Sequence, residues 1–126
     1  MIKRCFLTFL LLLTVVNLAS AQAVKLTGEE IRNLLTGNTA IGRLEGVSYR
    51  QYFGEDGGTI FAENGSKSKV GKWRVDDTEL EFQSIWTGDI DWEGWFVMEY
   101  GKTYYWVSRE TPPTPFQILI GKQLAE

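Results

Sequence analysis

GKWRVDDTELEFQSIW, the stretch from Gly71 to Trp86, carries the pattern that decides the fold. Trp73 and Val75 alternate with Lys72 and Arg74, and after Asp76-Asp77 the set Leu80, Phe82, Ser84 and Trp86 alternates with Glu79, Glu81 and Gln83. A period of two, with apolar residues on one side only, belongs to a strand with one buried face. The acidic pair between the two runs is a turn, so the stretch reads as two antiparallel strands lining a core.

Working outward, the same punctuation recurs at Gly46, Asp56-Gly57-Gly58, Asn64-Gly65, Gly88-Asp89, Gly101-Lys102 and Pro112-Pro113. The runs between these turns, rich in β-branched and aromatic residues, predict strands near 39–44, 47–54, 58–64, 68–75, 78–86, 90–100, 103–109 and 115–122. No helical pattern interrupts them, which argues against parallel crossover units. The expectation is an all-β chain: a small antiparallel up-and-down barrel of about eight strands, of the lipocalin or streptavidin kind, with a β-sandwich as the alternative. On the strand from 90, Trp92, Phe96, Met98 and Tyr100 share a face with Gly94, a candidate bulge or bend, while Trp95 and Val97 fall on the opposite, more acidic side. Further on, Tyr104 and Trp106 oppose Tyr105 and Val107, and either pair could face inward.

Upstream the period changes to that of a helix. Ile31, Leu34 and Leu35 recur at helical spacing, Thr27 and Glu30 form a capping box, and Gly37 supplies a left-handed stop, which places a helix over 26–36. An isolated helix this short does not hold in water, so its apolar stripe must be buried. Because the chain enters the first strand at once, the helix is expected to plug one mouth of the barrel. Before it, Lys3 and Arg4, the apolar run Phe6–Val16 and the small residues Ala19-Ser20-Ala21 have the three parts of a secretory signal over 1–21. Cleavage after Ala23 fits the same rule. The remaining 22–126 then form a single domain, exported to the periplasm or beyond, which does not span the membrane. Loss of Lys3 and Arg4 would take the formal charge from −3 to −5.

The residue inventory restricts the chemistry. The chain has no His, and Cys5 lies in the expected leader. That excludes His-based proton transfer, His or Cys zinc sites, thiol nucleophiles and disulfides. An acidic balance without a basic cluster excludes a nucleic-acid partner. Asp89, Asp91 and Glu93 imitate the first half of a calcium loop, but Tyr100 stands where its bidentate Glu belongs, so these are weak metal candidates. The same acids, with Glu99, could be cast as a hydrolase pair, although on an outer strand face they serve solubility. No catalytic residue and no cofactor is assigned. Asn64-Gly65-Ser66 matches a glycosylation acceptor and equally makes a turn. Gly71-Lys72-Trp73 has a G-x-W shape with a packing explanation.

The aromatics are in excess, with five Trp, five Tyr and seven Phe. They read either as core filling or as the lining of a pocket in the barrel mouth. The candidate ligand-binding set is Tyr49, Gln51, Trp73, Ser84, Trp86, Trp92, Tyr104 and Trp106.

Leu26-Thr27-Gly28-Glu29-Glu30-Ile31, then Leu34-Leu35, Gly37-Asn38-Thr39, Tyr52-Phe53 with Asp56-Gly57, and Gly71-Lys72-Trp73-Arg74-Val75 occur in an order that resembles small exported proteins of unknown function from alphaproteobacteria. The resemblance implies a periplasmic location and a compact β fold, and no reaction. The functional expectation is a non-enzymatic barrel that binds a small apolar or aromatic molecule or an envelope protein. Its rivals are a structural or stress-related envelope protein with a filled core, and an acid-residue hydrolase.

Overall fold

The structure, a computed structural model, describes residues 22–125. The leader expected over 1–21, with Cys5, lies outside the described residues. The elements in order are β1 (Val24–Lys25), α1 (Gly28–Leu35), β2 (Thr39–Leu44), β3 (Val47–Phe53), β4 (Gly58–Glu63), β5 (Lys69–Asp76), β6 (Glu81–Trp86), β7 (Glu93–Tyr100), β8 (Thr103–Val107) and β9 (Thr114–Leu119). From β2 to β9 each strand pairs antiparallel with the next, and β9 returns to β2. The result is a closed eight-stranded up-and-down barrel, not a sandwich. Closure removes the exposed edges of an open sheet.

One inner face can be followed around the ring through the register. Phe53 opposes Thr59, Thr59 opposes Gly71, and Gly71 opposes Trp86. Trp73 opposes Ser84, and Ser84 opposes Glu93. Val97 opposes Trp106, Trp106 opposes Thr114, and on the next row Phe116 opposes Gly42, which opposes Tyr49. Gly42 leaves room there, since a Cβ would come within 2.9 Å of the Tyr49 hydroxyl and 3.0 Å of the Pro115 carbonyl. Phe53, Trp73, Phe82, Val97, Trp106 and Phe116 form the buried centre. Phe53 makes edge contacts with Trp73 and Phe82 at centroid distances of 5.5 and 5.4 Å.

The register corrects the expected faces of β7. Phe82 opposes Trp95 and Ser84 opposes Glu93, so with Phe82 and Ser84 inside, Trp95 and Glu93 are inside as well. Val97, expected outside, is fully buried. Phe96 is outside, where the Lys25 ammonium of β1 lies 3.8 Å from its ring centroid. β7 carries aromatics on both faces, so its own alternation is symmetric and only the neighbouring strand breaks the tie. Gly94 makes no bulge, because the pairing runs through it in register. Instead a Cβ there would run into the Glu81 carboxylate, which accepts a hydrogen bond from Gln83 Nε2 at 2.8 Å. The choice left open on β8 falls to Trp106, which is buried.

Two strand starts also move. β6 begins at Glu81, because Asp76 Oδ1 caps the preceding turn by accepting from the backbone N–H of Thr78 and Glu79, and Leu80 takes φ 55 within it. β7 begins at Glu93, leaving Asp89 to Trp92 in a loop. β1 was not expected from the sequence. It extends the β7 edge where β6 has ended, with Val24 opposite Glu99, and two residues are too few to show a period.

α1 has the capping box its sequence encodes: Glu30 N–H donates to Thr27 Oγ1 at 3.2 Å and Thr27 N–H to Glu30 Oε1 at 2.9 Å. Gly37 (φ 75) turns the chain back and donates its N–H to Phe53 O at 2.7 Å. Ile31 and Leu35 are fully buried in the barrel core, and Leu34 is half-buried beside them. The helix thus closes the end where β2 starts and β3 finishes. Outside, the chain's last residues are tied down: Thr39 Oγ1 donates to Gly121 O at 2.7 Å, and the Arg50 guanidinium donates to Gln123 O at 2.9 Å.

Candidate functional site: the open mouth of the barrel

At the end away from α1 the ring of side chains does not meet. It leaves a half-open cup of about 190 Å³ to which each barrel strand contributes. Leu44 comes from β2, Tyr49 and Gln51 from β3, Phe61 from β4, Lys69 from β5, and Phe82, Ser84 and Trp86 from β6. Glu93 and Trp95 come from β7, Trp106 from β8 and Thr114 from β9. Alternation on every strand is what aims them at one space.

The walls are aromatic and braced. Tyr49 stacks on Phe61 at 5.3 Å, Phe61 meets Trp86 edge-on at 6.0 Å, and Trp106 lies flat on Phe116 at 4.0 Å. Trp106 Nε1–H donates to the Tyr49 hydroxyl at 2.9 Å. Burial pushes the Tyr49 phenol above its ordinary range, against a smaller opposite pull from Trp106, so it stays protonated at neutral pH.

Two oxygens stand out against that apolar lining. Thr59 Oγ1 donates to Tyr52 O at 2.8 Å, so it can only accept the 3.0 Å hydrogen bond from Gln51 Nε2. This fixes the Gln51 amide and leaves Oε1 without a partner among the described residues. Ser84 is 4% exposed, and its hydroxyl takes no side-chain hydrogen bond among them either. Yet no fully enclosed side-chain N or O among the described residues lacks a partner. Both oxygens are therefore reached from the cup.

Of the eight candidates, the fold brings Tyr49, Gln51, Ser84, Trp86 and Trp106 together here. Trp73 sits deeper, packed in the core with its Nε1–H donating to Gly54 O at 2.9 Å. Trp92 lies outside the barrel, with the Arg74 guanidinium 3.9 Å from its ring centroid. Tyr104 stacks on Phe116 at 5.7 Å and does not line the cup. Its phenol is pushed up by burial first and by the Glu99 charge second.

The expected row of three acids on one outer strand face does not form. Asp89 and Asp91 are exposed in the β6–β7 loop, while Glu93 turns to the cup. Among the described residues no three acidic or metal-capable side chains are grouped to hold a metal ion. No described helix is long and apolar enough to cross a membrane.

The chain matches no family model, no curated protein and no solved structure.

Sequence reasoning missed Phe61, Lys69, Glu93 and Trp95 as liners. A signal existed for Lys69, which lies four residues before Trp73 and so shares its face. A larger hollow of about 820 Å³ lies against the outer side of β2, β3 and β4. There Arg43 and Arg50 are turned onto backbone carbonyls at 2.9 Å.

Proposed function

We propose that this protein is a non-enzymatic binding barrel whose open mouth takes a small molecule built on an aromatic ring. The observation that carries the reading is the pair of unpartnered oxygens, Ser84 Oγ and Gln51 Oε1, inside an aromatic-walled cup. Because both oxygens are reached from the cup, water satisfies them there at little cost to the fold, and a polar group on a ligand can take its place. Size supports the same ligand class. A dry cavity of roughly 150 Å³ accommodates benzene, so about 190 Å³ suits one ring with a small polar substituent. Catalysis has less support, because no hydrogen bond joins the Ser84 hydroxyl to a basic side chain among the described residues. The leader-like segment over 1–21 supports a periplasmic or secreted location, as does the likeness to small exported alphaproteobacterial proteins.

The test is a titration with benzyl alcohol, followed through the five indole N–H signals in NMR spectra. Trp86, Trp95 and Trp106 should shift together and saturably, while Trp73 and Trp92 stay in place. No shift at tens of millimolar would instead favour the structural envelope protein with a filled interior.

A further inference from the structure

The cup's rim carries two charges of opposite sign, and neither has an ion-pair partner among the described residues. The Lys69 ammonium lies 5.7 Å from the Phe61 ring centroid and 5.9 Å from that of Trp86. Glu93 stands directly across the strand pair from Ser84. The single ion pair among the described residues is Arg32 with Asp77, at the other end of the barrel, so Lys69 and Glu93 are more than 4.0 Å apart. Both side chains are exposed, whereas Phe61, Trp86 and Trp95 are half-buried.

Resting on the reading of the cup as an aromatic-ring site, we infer that its ligand is a small aromatic zwitterion. Such a ligand has one ring on a short arm bearing both a carboxylate and an ammonium, as in a free aromatic α-amino acid. The ring fills the cup and the arm stays at the rim. Lys69 holds the carboxylate, and Glu93 holds the ammonium with Ser84 Oγ as a second acceptor. A simple anion would be drawn to Lys69 and repelled by Glu93, and a simple cation the reverse. Only a ligand with both charges is attracted twice and leaves neither side chain unmatched.

Four probes separate these contributions: L-phenylalanine, phenethylamine without the carboxylate, 3-phenylpropionate without the ammonium, and benzyl alcohol without either. Affinities are read from the Trp86, Trp95 and Trp106 indole signals at low salt. Because exposed ion pairs are individually weak, each missing charge should cost about two- to fivefold. Lys69→Met should abolish the preference over phenethylamine, and Glu93→Gln the preference over 3-phenylpropionate. Each variant is scored as the ratio of its affinity for a charged probe to its own affinity for benzyl alcohol, so that any change in the cup itself cancels. Equal binding of all four probes, or unchanged ratios in the variants, would overturn the zwitterion while leaving the ring site standing. Failure of every probe, benzyl alcohol included, would remove the ring site and the zwitterion with it.

Discussion

The two ends of this barrel are made from the same strands and do opposite things. At the α1 end, Ile31 and Leu35 are driven into the centre beside Phe53, Trp73, Phe82 and Val97, and the helix is capped by its own side chains. At the other end the rings line a space without filling it, and Ser84 and Gln51 keep oxygens uncovered. The contrast teaches that side-chain packing is completed at one end of the barrel and left open at the other. A dry, jigsaw-packed end can tolerate an open one, because net stability is a small difference that depends on where the large apolar groups are buried.

The strongest way to break this comparison is at the plug. Leu35→Ala should cost about 2–5 kcal/mol in urea denaturation, since a fully buried leucine leaves a cavity, and should leave benzyl alcohol affinity unchanged in whatever protein remains folded. Leu34→Ala should cost clearly less, because Leu34 is half-buried. Equal costs for the two would mean the helix is not seated with Leu35 inward, and a matching loss of binding from Leu35→Ala would mean the ends are not independent.

A smaller effect belongs to the cap and to the Arg32–Asp77 pair, whose nitrogen and oxygen are 2.7 Å apart. Thr27→Ala should cost about 1 kcal/mol at neutral pH. Hydrogen bonds from Thr27 hold the Glu30 carboxyl below its ordinary value of 4.5, and the hydrogen bond from Arg32 holds Asp77 below its ordinary 3.8. Since both are depressed in the folded state, their stabilisation is present above those ordinary values and disappears as pH falls through the lower folded ones. Thermal melts from pH 7 to pH 2 should therefore show Asp77→Asn less stable than the parent at neutral pH and converging with it in acid. A constant gap across that range would disprove the linkage.

The smallest expected change sharpens the other end. Ser84→Ala removes a hydroxyl with no partner among the described residues, so stability should stay within about 0.5 kcal/mol of the parent or rise slightly. Binding of L-phenylalanine should nevertheless weaken. A clear loss of stability would show that Ser84 has a structural hydrogen bond, and the cup would lose its defining feature.

Much of this molecule could be read from local pattern. The eight barrel strands, their turns, the capping box of Thr27 and Glu30 and the stop at Gly37 all follow from spacing, because each is decided within a few residues by hydrogen-bond geometry and side-chain period. The inward residues Trp73, Phe82, Ser84 and Trp86 of β5 and β6 were legible for the same reason, whereas Leu80, expected with them, falls in the turn before β6. Where both faces were aromatic, as in β7, the sequence was symmetric, and only pairing with β6 put Trp95, Val97 and Glu93 inside. The cup belongs to that second kind of information. Tyr49, Gln51, Ser84, Trp86 and Trp106 could be suspected one by one. Their meeting with Phe61, Lys69 and Glu93 around one space depends on closing β9 onto β2, and closure is a property of eight strands together that no single stretch of chain contains.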